Sequence, residues 1–241
     1  MIGAAGGIGR ATVTALSAAG CAVFALDLDA AFGGMDGPFP DGTRTIAVDA
    51  TDPASAAAAF GQIEAEVPAL DGLVHLVGFT NPRAPIATTD AATWREVIDG
   101  NLDSVFVCMQ AALPLLEAAD APSVVLTSSG LAAKPAIGYG PYAAAKAGVQ
   151  SVMRVLAAEH APKMRVNAIA PSAVETAFLT GGTARTQRAL GFDRDTYVRT
   201  VPLGRLATTY DIVGPILFLL GPAAGYITGQ TLHVNGGLLM T

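Results

Sequence analysis

The sequence predicts an α/β protein with a parallel sheet wound on both sides by helices. Three observations point there. Short apolar runs rich in Val, Ile and Leu are nearly continuous, as strands buried on both faces require. Longer helical patterns separate them. A glycine-rich turn, Gly3-Ala4-Ala5-Gly6-Gly7-Ile8-Gly9, leads directly into the first of these helices.

In chain order, strands are expected over Cys21–Asp27, Arg44–Asp49, Gly72–Val77, Ser123–Ser128, Met164–Ala170 and Thr231–Val234. Helices are expected over Ile8–Ala19, Pro53–Glu66, Ala91–Ala118, Tyr142–His160 and Thr208–Leu220. Asp52 and Asp90 suit N-caps, and Pro53 suits a first helical turn. Strand–helix alternation joins parallel strands by right-handed crossovers. No repeat or linker interrupts the pattern, so residues 1–241 read as a single domain. Residues 176–201 break the rhythm with Gly181-Gly182, Gly191 and the arginines 185, 188, 194 and 199. Open α/β sheets bind ligands beyond the carboxyl ends of their strands, so this segment reads as a substrate lid. A solvated surface helix is the plainer alternative.

Composition narrows the function. The 241 residues are 51% hydrophobic and 14% charged, with a mean hydropathy of +0.46, which excludes a disordered chain. A net charge of −6 leaves no cationic excess for a nucleic acid. From Ile212 onward no residue is charged, yet Gly214, Pro215, Gly221, Pro222, Gly225 and Gly229 break the stretch too often for a membrane span. With no basic, apolar leader and only Cys21 and Cys108, the expected location is a reducing cytoplasm. His75, His160 and His233 lack metal-ligand spacing and read as structural, so no metal is expected.

Three constellations carry chemistry. The glycine turn lets backbone approach a pyrophosphate at a helix N-terminus, giving the sheet a Rossmann-type character. Its G-x-x-x-G-x-G spacing is weak evidence alone. Asp27 strengthens it: 18 residues after Gly9, it closes the next strand, where a carboxylate can accept from a ribose diol. That carboxylate repels a 2′-phosphate, so NAD is expected and NADP disfavoured. Asp29 is the fallback, and both acids could simply cap a loop. Tyr142 and Lys146, four apart, share a helix face. Moving a phenol pKa from ~10 to ~7 needs about 4 kcal/mol, and a neighbouring ammonium can supply much of it. Ser129, at the end of a strand and 13 residues before Tyr142, can hydrogen-bond a substrate oxygen. Local turn bonding is its plainer role.

Gly3, Gly7, Ile8, Gly9, Asp27, Asp49, Asn101, Ser129, Tyr142 and Lys146 occur in order with Arg165-Val166-Asn167-Ala168-Ile169-Ala170-Pro171 and Val234-Asn235-Gly236-Gly237. This ordered set resembles the short-chain dehydrogenase/reductase family over essentially the whole chain. The resemblance implies hydride transfer between a nicotinamide and a carbinol or carbonyl carbon. It makes Tyr142 the general acid/base, Lys146 the residue that holds the ribose and lowers the Tyr pKa, and Ser129 the group that orients the substrate oxygen. Asn101 is implied as the helix-kink asparagine that positions a relay water. Asp49 and Ala50 are implied at the adenine, and Gly78, Pro171, Val174 and Thr176 along the rest of the cofactor. A homotetramer is also implied.

The chain departs from the family at several points. Only Met1-Ile2 precede Gly3, so the first strand is expected to be missing or truncated. This predicts either an encoded start upstream of Met1, or a chain that folds marginally and binds NAD poorly. The family's Asn-Asn-Ala-Gly reads His75-Leu76-Val77-Gly78, where Val77 adds bulk beside the cofactor path. Ser172 stands where Gly is usual, and Thr209-Tyr210 replaces Pro-Glu before the last long helix.

The leading expectation is an NAD-dependent secondary-alcohol dehydrogenase or ketone reductase. An NADPH-dependent 3-oxoacyl-thioester reductase and a non-catalytic nucleotide-binding regulator are the alternatives. Gly130, Leu131, Tyr139, Phe178 and Leu179 suggest a partly apolar substrate pocket, to which the lid arginines could draw an anion.

Overall fold

The computed structural model describes residues 1–35, 37–184 and 191–240. Its elements run α1 (Gly7–Ala18), β1 (Phe24–Asp27), α2 (Asp29–Gly33), β2 (Arg44–Ala47), α3 (Pro53–Glu64) and β3 (Gly72–His75). There follow α4 (Ala91–Ile98), α5 (Ser104–Ala118), β4 (Ser123–Thr127), α6 (Gly140–His160) and β5 (Arg165–Pro171). The chain closes with α7 (Arg194–Val198), α8 (Thr209–Leu220) and β6 (Thr231–Val234). Every pairing is parallel: β1 with β2, and β3-β4-β5-β6 in that order.

Of the two outcomes expected for the first strand, missing or truncated, the structure shows the second. Ile2 bridges Leu26 and His75 in parallel and so joins the two groups of strands. Its N–H donates to Val74 O at 2.8 Å, its carbonyl accepts from Leu76 N at 2.9 Å, and its side chain is buried. Two residues suffice because a bridge needs one donor and one acceptor on each side.

Apolar side chains cover both sheet faces. Val74, Val125 and Ile169 pack with Ile212, Ile216 and Leu219 of α8, and Ile8 of α1 joins them. Leu26, Leu73, Val124, Leu126 and Val166 pack on the other face with Phe60 of α3, Leu116 of α5 and Met153 of α6. Asp52 and Asp90 cap α3 and α4 as expected, accepting from Ala54 N and Thr93 N. Thr208 and Asp211 form a capping box on α8, so the Thr209-Tyr210 departure leaves this helix well started.

The expected single helix over Ala91–Ala118 is corrected. A π-helical segment, Asp99–Asp103, divides it into α4 and α5. Such bulges insert one residue into the ladder, so apolar periodicity reads straight through them. Other motif residues serve the fold. Arg165 donates to the carbonyls of Leu219, Leu220 and Gly221, closing the C-terminus of α8. Asn167 bonds Ile227 O and Gln230 N, and Asn235 holds the final turn through Leu239 O and Gly237 N. Among the described residues no helix is long and apolar enough to cross a membrane, and no His/Cys/Asp/Glu cluster suits a metal.

Candidate active site

The carboxyl ends of β1, β3, β4 and β5 carry the candidate residues to one edge of the sheet. Gly3 has φ +78°, and an added Cβ would stand 2.9 Å from Leu76 C and Val77 N. Only glycine turns there so close to the chain leaving β3. At Gly9 a Cβ would sit 2.2 Å from Gly3 O, so α1 starts pressed against the loop. The N-cap of α1 is Gly6, which offers no side chain to the first-turn amides of Gly7, Ile8 and Gly9. Asp27 sits beside them: Oδ2 accepts from Ala5 N and Oδ1 from Leu28 N, both at 2.8 Å. Burial pushes its pKa up, and the two amides pull it back.

Asp49 lies two residues beyond β2, with Oδ1 accepting from Thr51 N and Thr51 Oγ1 in a local turn. Ala50 is buried in the core, where its carbonyl faces Cys108 Sγ at 3.8 Å. Pro171 ends β5 opposite Val234, and Val174 bridges Ala207. Thr176 lies over the glycine turn, since a Cβ on Gly7 would be 2.7 Å from its methyl group.

Asn101 and Lys146 meet at Gly78, with Tyr142 next to Lys146 and Ser129 next to Tyr142. A Cβ on Gly78 would lie 2.8 Å from Asn101 Oδ1 and 2.9 Å from Lys146 Nζ. Asn101 sits in the π segment; its Nδ2 donates to Val97 O and Phe79 O, and its Oδ1 accepts from Phe79 N. The side chain thus takes up a carbonyl that the broken helical ladder releases. Lys146 donates to Thr127 O at 3.0 Å and Val77 O at 3.3 Å, and its Nζ lies 5.8 Å from the Tyr142 ring centroid. Ser129 accepts from Leu131 N at 3.2 Å, a local turn bond, and its hydroxyl also interacts with Tyr142. Ser128 is structural, placed between Lys146 O and Gln150 Nε2.

The charge balance at Tyr142 differs from the expectation. Burial pushes its pKa up to about 12, against a smaller downward pull from the Ser129 hydrogen bond. Burial also drives Lys146 down to about 7. The ammonium that was to lower the phenol is itself poorly solvated and aimed at two carbonyls. Proximity in sequence placed the pair correctly, but desolvation outweighs their coupling.

The lid reading divides. Phe178, in the 3-10 turn Ala177–Thr180, lies against Tyr142 with ring centroids 5.9 Å apart, so this part of 176–201 does cover the site. Arg185 and Arg188 lie outside the described residues. Arg194 pairs with Glu175, and Arg199 donates to Thr196 Oγ1. Those two arginines line a cavity of ≈ 470 Å³ with Glu175, Asp195 and Arg205, and no candidate site residue borders it. Sequence reasoning missed Arg83. Its Nε donates to Tyr139 Oη at 3.1 Å across 56 positions, a separation with no sequence signature.

Comparisons with known proteins agree with this geometry. The Enoyl-(Acyl carrier protein) reductase family model matches residues 3–239. The chain is 36% identical to cis-4-hydroxycyclohexanecarboxylate dehydrogenase of Sinomonas cyclohexanicum, over 98% of this chain and 93% of that one. It is 34% identical to the 3-oxoacyl-(acyl-carrier-protein) reductase of Escherichia coli, over 99% of this chain and 95% of that one. Among solved structures, a short-chain dehydrogenase/reductase from Brucella melitensis, described as glucose/ribitol dehydrogenase, matches with a TM-score of 0.87 and 33% identity, covering 100% of this chain and 95% of that one. A 3-ketoacyl-(acyl-carrier-protein) reductase from the same organism, complexed with NADH, matches with a TM-score of 0.89 and 25% identity, covering 99% and 96%. The chain belongs to the short-chain dehydrogenase/reductase family of oxidoreductases, which bind a nicotinamide cofactor.

Proposed function

We propose that this oxidoreductase transfers a hydride between NAD(H) and a secondary alcohol or ketone, with Tyr142 as general acid/base. The carrying observation is the run of neighbours from Asn101 through Gly78 and Lys146 to Tyr142 and Ser129. The glycine cradle fits the cofactor. The first-turn amides of α1 meet no side-chain cap, as a site for a pyrophosphate requires. Gly3, Gly7, Ile8 and Gly9 would hold the phosphates, Asp27 the adenosine ribose, and Asp49 and Ala50 the adenine. Tyr142 and Lys146 would hold the nicotinamide ribose, with Gly78, Pro171, Val174 and Thr176 along the nicotinamide end. When bound, the nicotinamide ring supplies the hydride acceptor or donor.

The protein's own groups handle the proton. Burial keeps the Tyr142 phenol protonated at neutral pH, the state that donates to an oxygen gaining negative charge during ketone reduction. Ser129, hydrogen-bonded to that phenol, is placed to orient the same oxygen. Lys146 donates to Thr127 O and Val77 O beside the phenol, and burial lowers its pKa to about 7. Phe178 screens the phenol from water. Asp27 favours NAD, because a 2′-phosphate would set two further negative charges beside a half-buried carboxylate.

Relatives named as 3-oxoacyl-(acyl-carrier-protein) reductases support reduction of a 3-oxoacyl thioester as a second reading, for which NADPH is the expected cofactor. Asp27 opposes its cofactor. A homotetramer is proposed too, since Phe106, Val155, Tyr210 and Tyr226 leave apolar surface exposed; light scattering reads it. A cytoplasmic location fits free thiols at Cys21 and Cys108.

The test follows reduced-nicotinamide absorbance over a panel of secondary alcohols, with NADH and NADPH competing in fluorescence titrations. Tyr142→Phe is expected to lower turnover by about 10³-fold or more while NADH still binds. A fully active Tyr142→Phe, or a preference for NADPH, overturns this reading.

A further inference from the structure

A single hydroxyl fastens the chain leaving β5 to α7. Tyr197 Oη accepts from Ala173 N at 3.2 Å, across 24 positions, and has no other partner among the described residues. Ala173 comes just before Val174, which bridges Ala207 in parallel. Ala207 N donates to Ala173 O at 3.1 Å, and Glu175 N donates to Ala207 O at 2.9 Å. Backbone polar groups of successive extended residues point to opposite edges. Ala173 and Glu175 therefore turn theirs towards Ala207 and Tyr197, and Val174 turns its amide the other way. Val174 is buried, yet that amide has no acceptor among the described residues. Buried amides are paired almost without exception, so this one marks a place for a ligand oxygen.

The same short run reaches the rest of the site. Thr176 lies over Gly7, and the Phe178 ring packs on that of Tyr142. Upstream, Ser172 N donates to Val234 O at 3.1 Å. The Tyr197 bond falls between that anchor and the unpaired Val174 amide.

Helix α7 is built to present this hydroxyl. Asp193 starts the helix, accepting from Thr196 N at 3.0 Å and from Thr196 Oγ1 at 2.6 Å. The Phe192 ring packs on that of Tyr197 with centroids 5.2 Å apart. A phenylalanine ring would pack there as well, but only a hydroxyl can accept from the Ala173 amide. The other tie between α7 and this run, the Arg194–Glu175 pair, is exposed on both sides and holds little.

Resting on the NAD(H) dehydrogenase reading, we propose that Tyr197 is a positioning residue for the nicotinamide end of the cofactor. Its hydroxyl fixes Ala173 so that the Val174 amide can donate to the carboxamide oxygen of the ring. Tyr197 touches neither the substrate nor the reacting atoms, and no proton passes through it.

The experiment uses the full chain and isothermal titration calorimetry with two ligands, NADH and ADP-ribose, which lacks the nicotinamide. Tyr197→Phe keeps the ring beside Phe192 and removes only the hydroxyl. It should weaken NADH by about fivefold, as for the loss of one hydrogen bond, and leave ADP-ribose within about twofold of the parent. A purely structural bond would instead weaken both ligands alike, or lower the unliganded melting temperature with neither affinity changed. Either result overturns the positioning role and leaves the dehydrogenase reading standing. A parent chain that binds neither ligand and turns over no alcohol overturns both.

Discussion

Two polar regions of this molecule use the same side-chain types to opposite ends. At the corner where β3, the π segment and α6 meet, Asn101, Lys146, Tyr142 and Ser129 are 0%, 2%, 7% and 8% exposed. Burial there moves charge states, raising Tyr142 to about 12 and lowering Lys146 to about 7. In a flap that runs from β5 to the first turn of α8, Glu175, Arg194, Arg205 and Asp211 stand in or near solvent and pair locally. There Asp211 is held well below the usual carboxylate range, chiefly by the Arg205 hydrogen bonds and then by the Thr208 cap. In the first region burial shifts charge states; in the second, pairing fastens chain. Charge count does not distinguish them, and solvent access does.

The comparison breaks most visibly at Gly78. A Cβ there would press on Asn101 Oδ1 and Lys146 Nζ together. Neither can yield without losing its bonds to Phe79, Val77 or Thr127. Gly78→Ala should therefore cut kcat by about 10²-fold or more, through misplacement of the proton-handling groups. It should also destabilise the chain by about 1–3 kcal/mol from strained buried bonds. Turnover with the best alcohol of the panel and urea unfolding read the two effects separately. A fully active Gly78→Ala would show that the corner tolerates displacement, and the contrast with the flap would fail.

A second, intermediate effect comes from His75 behind the same corner. Its ring is 1% exposed and neither nitrogen has a hydrogen-bond partner among the described residues. Burial, aided by Lys146, lowers its pKa to about 3. The unfolded chain takes up this proton below ~6.5, while the folded chain resists until about 3. Stability is thus complete above pH ~6.5 and falls as pH drops towards 3, by up to about 1.4 kcal/mol per pH unit. Lys146, lowered to about 7, adds a separate loss as pH falls from ~10.5 to 7, and none below. His75→Leu should flatten the acid limb alone, as melting temperatures at pH 6, 5 and 4 would show. An equal slope in variant and parent would remove His75 from the account.

Much of this was legible in the sequence, for identifiable reasons. Each expected strand formed, because strands buried on both faces advertise themselves as apolar runs. Gly3, Gly9, Asp27, Ser129, Tyr142 and Lys146 reached one sheet edge, because strand ends and helix starts fix their positions. Three features were not legible. Met1-Ile2 is too short to read as a strand, yet one bridging residue joins the sheet. The π segment is invisible to periodicity, although Gly100 lies inside it against the Phe79 ring. The sign of the Tyr142 shift depends on burial in the folded chain, which local spacing cannot report. Asn101, Asp49 and Val174 came from family resemblance, and no local chemical signal marks them.

The smallest expected effect belongs to the flap. Arg194 and Glu175 form an ion pair with side chains 64% and 40% exposed. Water already solvates both partners well, so ordering two flexible side chains offsets most of the attraction. Arg194→Gln should shift the melting temperature by no more than ~2 °C, and 1 M NaCl should erase the difference. Turnover of a neutral alcohol should change little, because the cavity that Arg194 lines touches none of the site residues. Arg205→Gln provides the sharper control. Its guanidinium makes two bonds to Asp211, at 2.7 and 2.8 Å, and the same carboxylate closes the capping box with Thr208. Removing it should lower the melting temperature more than Arg194→Gln does, because a helix start is loosened as well as a surface pair. If Arg194→Gln proved as damaging as Gly78→Ala, the flap would share in the chemistry, and solvent access would no longer separate the two regions.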